Sequence, residues 1–502
     1  MALKKRTLVF VASIWLIGVT TPSFAQTSNL SELRAAIDQS IVEGDMPNAW
    51  WTVKIVEAET GMPWYEKDTG RSFIPASNTK LFTTAAALEI LGPDFSYETS
   101  IWSDGWVEDG VLKGNLIVRG SGDPVIGGRF NDGDITEAFR AWADSLKALG
   151  VTRISGNIVG DDNAFDEIHL GEGWEWDDLT FWYGAEISAL SFNDNCVDFR
   201  LIAQKEKMPA ELAWEPANTS YVSAVNASLT VAEDHSITEG YFREQGSNRF
   251  TFSSLVPQGR TDYESLAVSN PTAFFVHVLR ETLVAQGISV GGSSVDIDTT
   301  PFSPSYSSLN HLFSHFSPPL SEIVRVINKR SQNLYAEQVL RTIAVNAPLA
   351  GSGLIPGSAA MGISRSKEVY GKAGIDTLRI QLVDGSGLSR HNLITTTMMT
   401  NLLRYMRHHP DPSVRSAFLE SMSIAGVDGD VRTRMRGTSA EGNARAKSGT
   451  VGNASALSGF VTTSDGTELI FSIISNHHTV PATRPRQIQN QIVSLLASHS
   501  RK

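Results

Sequence analysis

The chain has 502 residues, 41% of them hydrophobic and 19% charged, with no long biased tract; this sets aside a disordered or fibrous protein and leaves length for roughly two or three packed domains. Its formal net charge of −12 argues against nucleic acid as a partner, since a phosphate backbone is bound by clustered Lys and Arg. Cys196 is the only cysteine, which excludes an internal disulfide; it follows Asn193-Asp194-Asn195 with no basic neighbour to stabilise a thiolate, and reads as a buried structural residue.

In chain order, residues 1–25 read as a signal peptide. Lys4, Lys5 and Arg6 form a basic start, residues 8–19 an apolar core, and Ser23-Phe24-Ala25 a cleavage site with small residues. The apolar run is shorter than the ~20 residues of a spanning helix, and Gln26 stands where a lipoprotein would have Cys. Cleavage after Ala25 moves the net charge to −15 by removing three cations. The periodicity predicts a helix over 31–43, with Ser31 as its cap, and a strand over 51–57. A second helix is predicted over 77–91, stopped by Gly92-Pro93 and nearly uncharged beyond Lys80, hence central and buried. From 94 to 300 the texture changes to short strands and glycine turns, with two similar segments, 114–120 and 156–161, each leaving a Gly-Asn turn and separated by a helix over 135–149. We expect this region to be one or two β-rich accessory domains inserted into a catalytic domain made of 26–93 and 301–502. Helical periodicity returns over 321–344 and 396–408. The end reads as strands 444–450, 457–462 and 469–475 followed by a helix over 486–496. Antiparallel strands covered by helices from the chain ends make the expected fold class α+β and multi-domain.

Three short segments carry chemistry. Ser77 and Lys80 are three apart at a helix start, so one face presents both. A serine hydroxyl is a poor nucleophile until a base takes its proton, and a lysine amine can do so if burial or a second cation lowers its pKa. Ser331 and Asn333 do not share a helix face, so an irregular turn is needed for both to point one way. Lys447 in Lys447-Ser448-Gly449-Thr450, at a strand end, is a second cation and a binder of carboxylates, and Gly449 allows close backbone approach. Each segment alone is as well explained by a capped helix, a solvated helix face or an edge-strand lysine. Together, in this order, they match Ser-x-x-Lys, Ser-x-Asn and Lys-Thr-Gly.

With these motifs the chain resembles the low-molecular-mass class C penicillin-binding proteins (peptidase family S13) from about Ser31 to the C-terminal helix. Gly120-Ser121-Gly122-Asp123-Pro124, Gly160-Asp161-Asp162, Ser188-Ala189-Leu190-Ser191, the long insertion and above all Asp384-Gly385-Ser386-Gly387-Leu388-Ser389-Arg390 carry the likeness. Class A β-lactamases lack such an insertion, and no Glu-x-x-Leu-Asn segment is present. The resemblance implies a penicillin-binding, β-lactamase-like transpeptidase fold. It further implies a periplasmic serine D-Ala-D-Ala carboxypeptidase or D,D-endopeptidase that acts on peptidoglycan stem peptides and is acylated by β-lactams. By that likeness Ser77 is the nucleophile, Lys80 its base, Ser331 the relay to the leaving group, Asn333 the binder of the substrate amide, and Lys447 the electrostatic support of Ser331. The N–H groups of Ser77 and Thr450 would form the oxyanion hole, and the hydroxyls of Ser448 and Thr450 would hold the terminal carboxylate. Asp178 and Arg390 match a pocket for the free amino and carboxylate groups of diaminopimelate. No cofactor is expected, and no metal: His408-His409 and His477-His478 lack ligand partners at metal spacing. The alternatives are a β-lactamase-like hydrolase, which would turn over a chromogenic β-lactam, and a non-catalytic wall-binding protein of the same fold.

Overall fold

The computed structural model describes residues 29–217 and 219–501; the expected signal peptide lies outside them. Both ends of the chain build one sheet. Its strands are β1 (Trp50–Glu57), β2 (Pro63–Lys67), β3 (Ser423–Ile424), β4 (Arg445–Val451), β5 (Ala454–Thr462) and β6 (Glu468–Asn476), in the order β2-β1-β6-β5-β4-β3, every pair antiparallel. The helices are α1 (Leu30–Glu43), α2 (Thr79–Leu91), α3 (Glu137–Ala148), α4 (Pro271–Ala285), α5 (Leu320–Arg330), α6 (Asn333–Asn346), α7 (Ala359–Lys372), α8 (Thr396–Arg407), α9 (Pro412–Ser421) and α10 (Thr483–Ser498).

Alternation along β6 divides the core. Leu469, Phe471 and Ile473 pack with Leu33 and Ile37 of α1 and Ile488 and Ile492 of α10, while Ile470 and Ile474 pack with Leu81, Val339, Met399 and Phe418 on the other side. A sheet buried on both faces needs apolar residues at odd and even positions alike, which is why eight of the nine residues of β5 are buried. The same layering explains α2: residues 79–88 are all buried, so it carries no amphipathic stripe. The helix ends at Gly92, φ 86°, ahead of Pro93.

The inserted stretch has a second core of its own, containing Phe139, Trp142, Phe192, Phe199, Phe274 and Phe275. The similar segments noted in the sequence are neighbours in space. Leu116–Arg119 and Ile158–Asp161 pair in parallel, with α3 in the crossover between them, as parallel strands require. The strand Asn310–Phe316 pairs back onto Glu98–Ser103 and brings the chain home.

Four local expectations differ. Asn29, not Ser31, caps α1, its Oδ1 accepting from Glu32 N at 2.9 Å. Helix α4 lies in the region read as strands: nine of its fifteen residues are buried, so period 3.6 is blurred, and only Asn270-Pro271 marks its start. The helical stretch 321–344 is two helices, broken at Ser331 (φ 60°, ψ 36°). Helices α7 and α9 fall where no element is predicted. Among the described residues no helix is long and apolar enough to cross a membrane.

Candidate active site

Ser77 is not inside α2 but on the three-residue turn Ala76–Asn78 before it. Ala76 holds φ at 48°, a conformation rare for a residue with a side chain, and Ser77 is left half-buried. Strand β4 runs against this turn. A methyl on Gly449 would lie 2.8 Å from Ser77 N and from Pro75 O, so only glycine lets the two backbones meet, and Asn78 Nδ2 donates to Lys447 O at 2.9 Å.

Lys80 is fully buried. Its Nζ lies 2.5 Å from Asn333 Oδ1, 2.7 Å from the Ser386 carbonyl oxygen and 3.1 Å from Ser77 Oγ. The first two are pure acceptors and take two N–H bonds. The charged ammonium has a third N–H, which it gives to Ser77 Oγ; the neutral amine has only two, and would keep its lone pair for the Ser77 hydroxyl. Burial first, and the Lys447 charge second, hold the Lys80 pKa well below the ordinary 10.5, against the opposing pull of Asp384, Glu337 and Asp430.

The Asp384-Gly385-Ser386-Gly387 loop supplies that Ser386 carbonyl. Asp384 accepts from Gly387 N at 2.8 Å, Ser389 N at 2.7 Å and Asn392 Nδ2 at 2.7 Å, and takes Trp174 Nε1 at 3.1 Å. Buried Glu337 of α6 accepts from Gly385 N and Ser386 N at 3.0 and 2.8 Å. Burial, then the Asp384 charge, raises the Glu337 pKa. Gly387, φ 81°, has no room for a side chain: one would meet Ala76 O at 2.0 Å.

Ser331 occupies the left-handed link between α5 and α6, which supplies the irregular turn the Ser-x-Asn spacing demanded. It is half-buried, and its hydroxyl is not hydrogen-bonded to Lys80 or Lys447. Asn333, adjacent, is tied on both sides: Oδ1 to Lys80, and Nδ2 to the Tyr183 carbonyl at 2.8 Å. One N–H of its amide remains for a ligand. Gln332 turns away to cap α6 and donates to Asp194 Oδ2 at 2.8 Å.

Lys447, also fully buried, is ion-paired with Asp430 and donates to the Ser448 carbonyl at 2.8 Å. Asp430 Oδ2 also accepts from the Ser448 hydroxyl at 2.8 Å and its N–H at 3.0 Å. Asp178 is not in contact with Arg390 among the described residues. Asp178 is hydrogen-bonded by the side chain of Tyr183, and burial, then Asp177 and Glu175, raises its pKa. Arg390 instead donates to the Gly452 carbonyl just beyond β4. The two belong to different segments, Asp178 to the short turn Asp178–Thr180 and Arg390 to the loop after Asp384.

Among known proteins, the model of the D-Ala-D-Ala carboxypeptidase 3 (S13) family matches residues 33–499. The chain belongs to this family. A D-alanyl-D-alanine carboxypeptidase of Actinomadura sp. (strain R39) is 33% identical over 97% of this chain and 88% of its own. The D-alanyl-D-alanine carboxypeptidase DacB of Haemophilus influenzae is 29% identical over 91% of this chain and 89% of its own. The crystal structure of penicillin-binding protein 4 from Haemophilus influenzae superposes with a TM-score of 0.76 at 26% identity, covering 93% of this chain and 98% of that one. The S13 fold is therefore the penicillin-binding fold, α+β and multi-domain, expected from the motifs.

Sequence reasoning missed Asp430, Glu337 and the part played by the Ser386 carbonyl. Glu337 had a signal, a carboxylate inside an apolar helix. Asp430 had none, for it reaches Lys447 across seventeen residues by tertiary placement alone.

Proposed function

We propose that this S13 protein hydrolyses D-Ala-D-X bonds in peptidoglycan stem peptides by acyl transfer through Ser77. The observation that carries this is fully buried Lys80 with its Nζ 3.1 Å from the Ser77 hydroxyl, in a site closed by the Ser-x-Asn turn and the Lys-Ser-Gly strand. Lys80 takes the Ser77 proton as Oγ attacks the carbonyl. The oxyanion forms against the N–H groups of Ser77 and Thr450, a contact whose loss typically raises a barrier by ~3 kcal/mol. The remaining Asn333 N–H binds the substrate amide. Ser331, with the Lys447 charge behind it, relays the proton that Lys80 took from Ser77 to the leaving amine as the C–N bond breaks. Water then cleaves the ester, releasing the shortened peptide and restoring Ser77. Family likeness gives Asp178 and Arg390 to the two charged ends of diaminopimelate.

β-Lactams acylate the same serine. A crystal structure of the Haemophilus influenzae protein holds a β-lactam, and the fold shared with it supports that reading. The test is mass spectrometry after incubation with penicillin: one adduct on Ser77 in the wild type, none in Ser77→Ala, and no hydrolysis of D-Ala-D-Ala peptides by that variant. An adduct elsewhere, or wild-type hydrolysis without Ser77, overturns it.

We also place the protein in the periplasm, delivered by residues 1–25, so that the mature chain begins at Gln26, which its intact mass would reveal. The accessory region, expected over 94–300, we extend to 316, since the strand Asn310–Phe316 is an edge of its five-stranded sheet.

A further inference from the structure

Lys447, the cation beside the site, and Ser448, one of the two hydroxyls that family likeness gives to the substrate carboxylate, are already engaged. The Lys447 ammonium is ion-paired with Asp430, and the single Ser448 hydroxyl proton goes to the same carboxylate at 2.8 Å. A second carboxylate arriving there would meet a like charge and a spent donor. Thr450, the last hydroxyl of the strand, is exposed and differently placed. Its Oγ1 accepts from Arg486 Nη2 at 2.9 Å, which leaves its own proton free to donate outward.

Arg486 lies in the first turn of α10 and is exposed. No carboxylate of the described residues is within ion-pair distance of it, so most of its five N–H donors are uncommitted. Behind it, nearly buried Arg434 donates to the Arg486 carbonyl oxygen at 3.3 Å and to Gln489 Oε1 at 3.0 Å, fixing the backbone that carries Arg486 and adding positive potential. A planar guanidinium beside a free hydroxyl proton is a fork for a carboxylate.

We propose that Arg486, with the Thr450 hydroxyl, reads the free terminal carboxylate of the substrate, in place of Lys447 and Ser448, which are both bonded to Asp430. This rests on the acyl-transfer reading above. Arg486 thereby makes the enzyme select peptides that end in a free D-amino acid over those whose terminus is blocked.

The test is a pair of synthetic peptides ending in D-Ala-D-Ala, one with a free carboxylate and one with a C-terminal amide. Wild type prefers the acid. In Arg486→Ala, kcat/KM for the acid falls about tenfold to a hundredfold, the worth of one charge-assisted hydrogen bond, while the amide is cleaved as by wild type, so the preference collapses. Arg486→Lys keeps the charge and retains part of the preference, which separates lost recognition from a folding defect. An unchanged acid-to-amide ratio in Arg486→Ala overturns the inference while the acyl-transfer reading stands. Wild type that cleaves neither peptide takes down both.

Discussion

An ordinary lysine is protonated at neutral pH and has no lone pair to offer. Lys80 is placed so that the charged form is disfavoured twice, by complete burial and by the neighbouring Lys447 charge. The pH dependence follows with a definite sign. Because the neutral amine is the reactive form, the second-order rate of acylation by penicillin should rise with pH along one ascending limb whose midpoint lies well below 10.5, then level off. Lys80→Ala should remove the limb and slow acylation by ~10²–10⁴-fold, the usual weight of a general base; stopped-flow kinetics across pH would measure both. Normal acylation by that variant would dismiss Lys80 as base. Stability moves the same way. The unfolded chain binds a proton that folded Lys80 does not, so between the folded pKa and 10.5 the fold gains stability as pH rises.

Helix α6 shows how an element can set a site beyond the one residue it offers to substrate. Its first residue is Asn333, and one turn on, Glu337 holds the two N–H groups that fix the Ser386 carbonyl against Lys80. Glu337→Leu would leave both N–H groups buried without a partner, at about 1–3 kcal/mol each, and release the carbonyl. We expect a lower melting temperature and slower penicillin acylation, with Glu337→Gln intermediate because one acceptor oxygen remains. Wild-type acylation in Glu337→Leu would show that the loop holds itself. The break before α6 belongs to the same account. Ser331 and Asn333 can flank one site only because Ser331 adopts φ 60°, and no glycine or proline announced that break.

Across the molecule, the accessory region is fastened to α6. Gln338 donates to the Ser188 carbonyl at 2.9 Å and to Ser191 Oγ at 2.6 Å, and buried Arg341 donates to the Ile168 carbonyl at 2.7 Å and pairs with Glu337 and Asp166. The Ser188-Ala189-Leu190-Ser191 segment, conspicuous in the sequence but without evident chemistry, is thus a seam. Gln338→Ala should cost about 1–3 kcal/mol and speed backbone hydrogen exchange at 188–191, both measurable without any substrate; unchanged exchange would mean the seam is held elsewhere.

Residues close in sequence, or bound to a motif, were legible from the chain alone. Ser77 with Lys80, Ser331 with Asn333, Lys447 to Thr450, the buried helix α2 and the change of texture after 94 could all be read, because spacing and composition encode local geometry and burial. Long-range partners were not. That Asp430 pairs with Lys447, that Ser386 offers a carbonyl rather than its hydroxyl, and that Arg486 of the last helix reaches Thr450 depend on which surfaces the packed sheet and helices bring within 3 Å. Periodicity records which face of an element is apolar, but hydrogen-bond partners are selected only when two such faces meet.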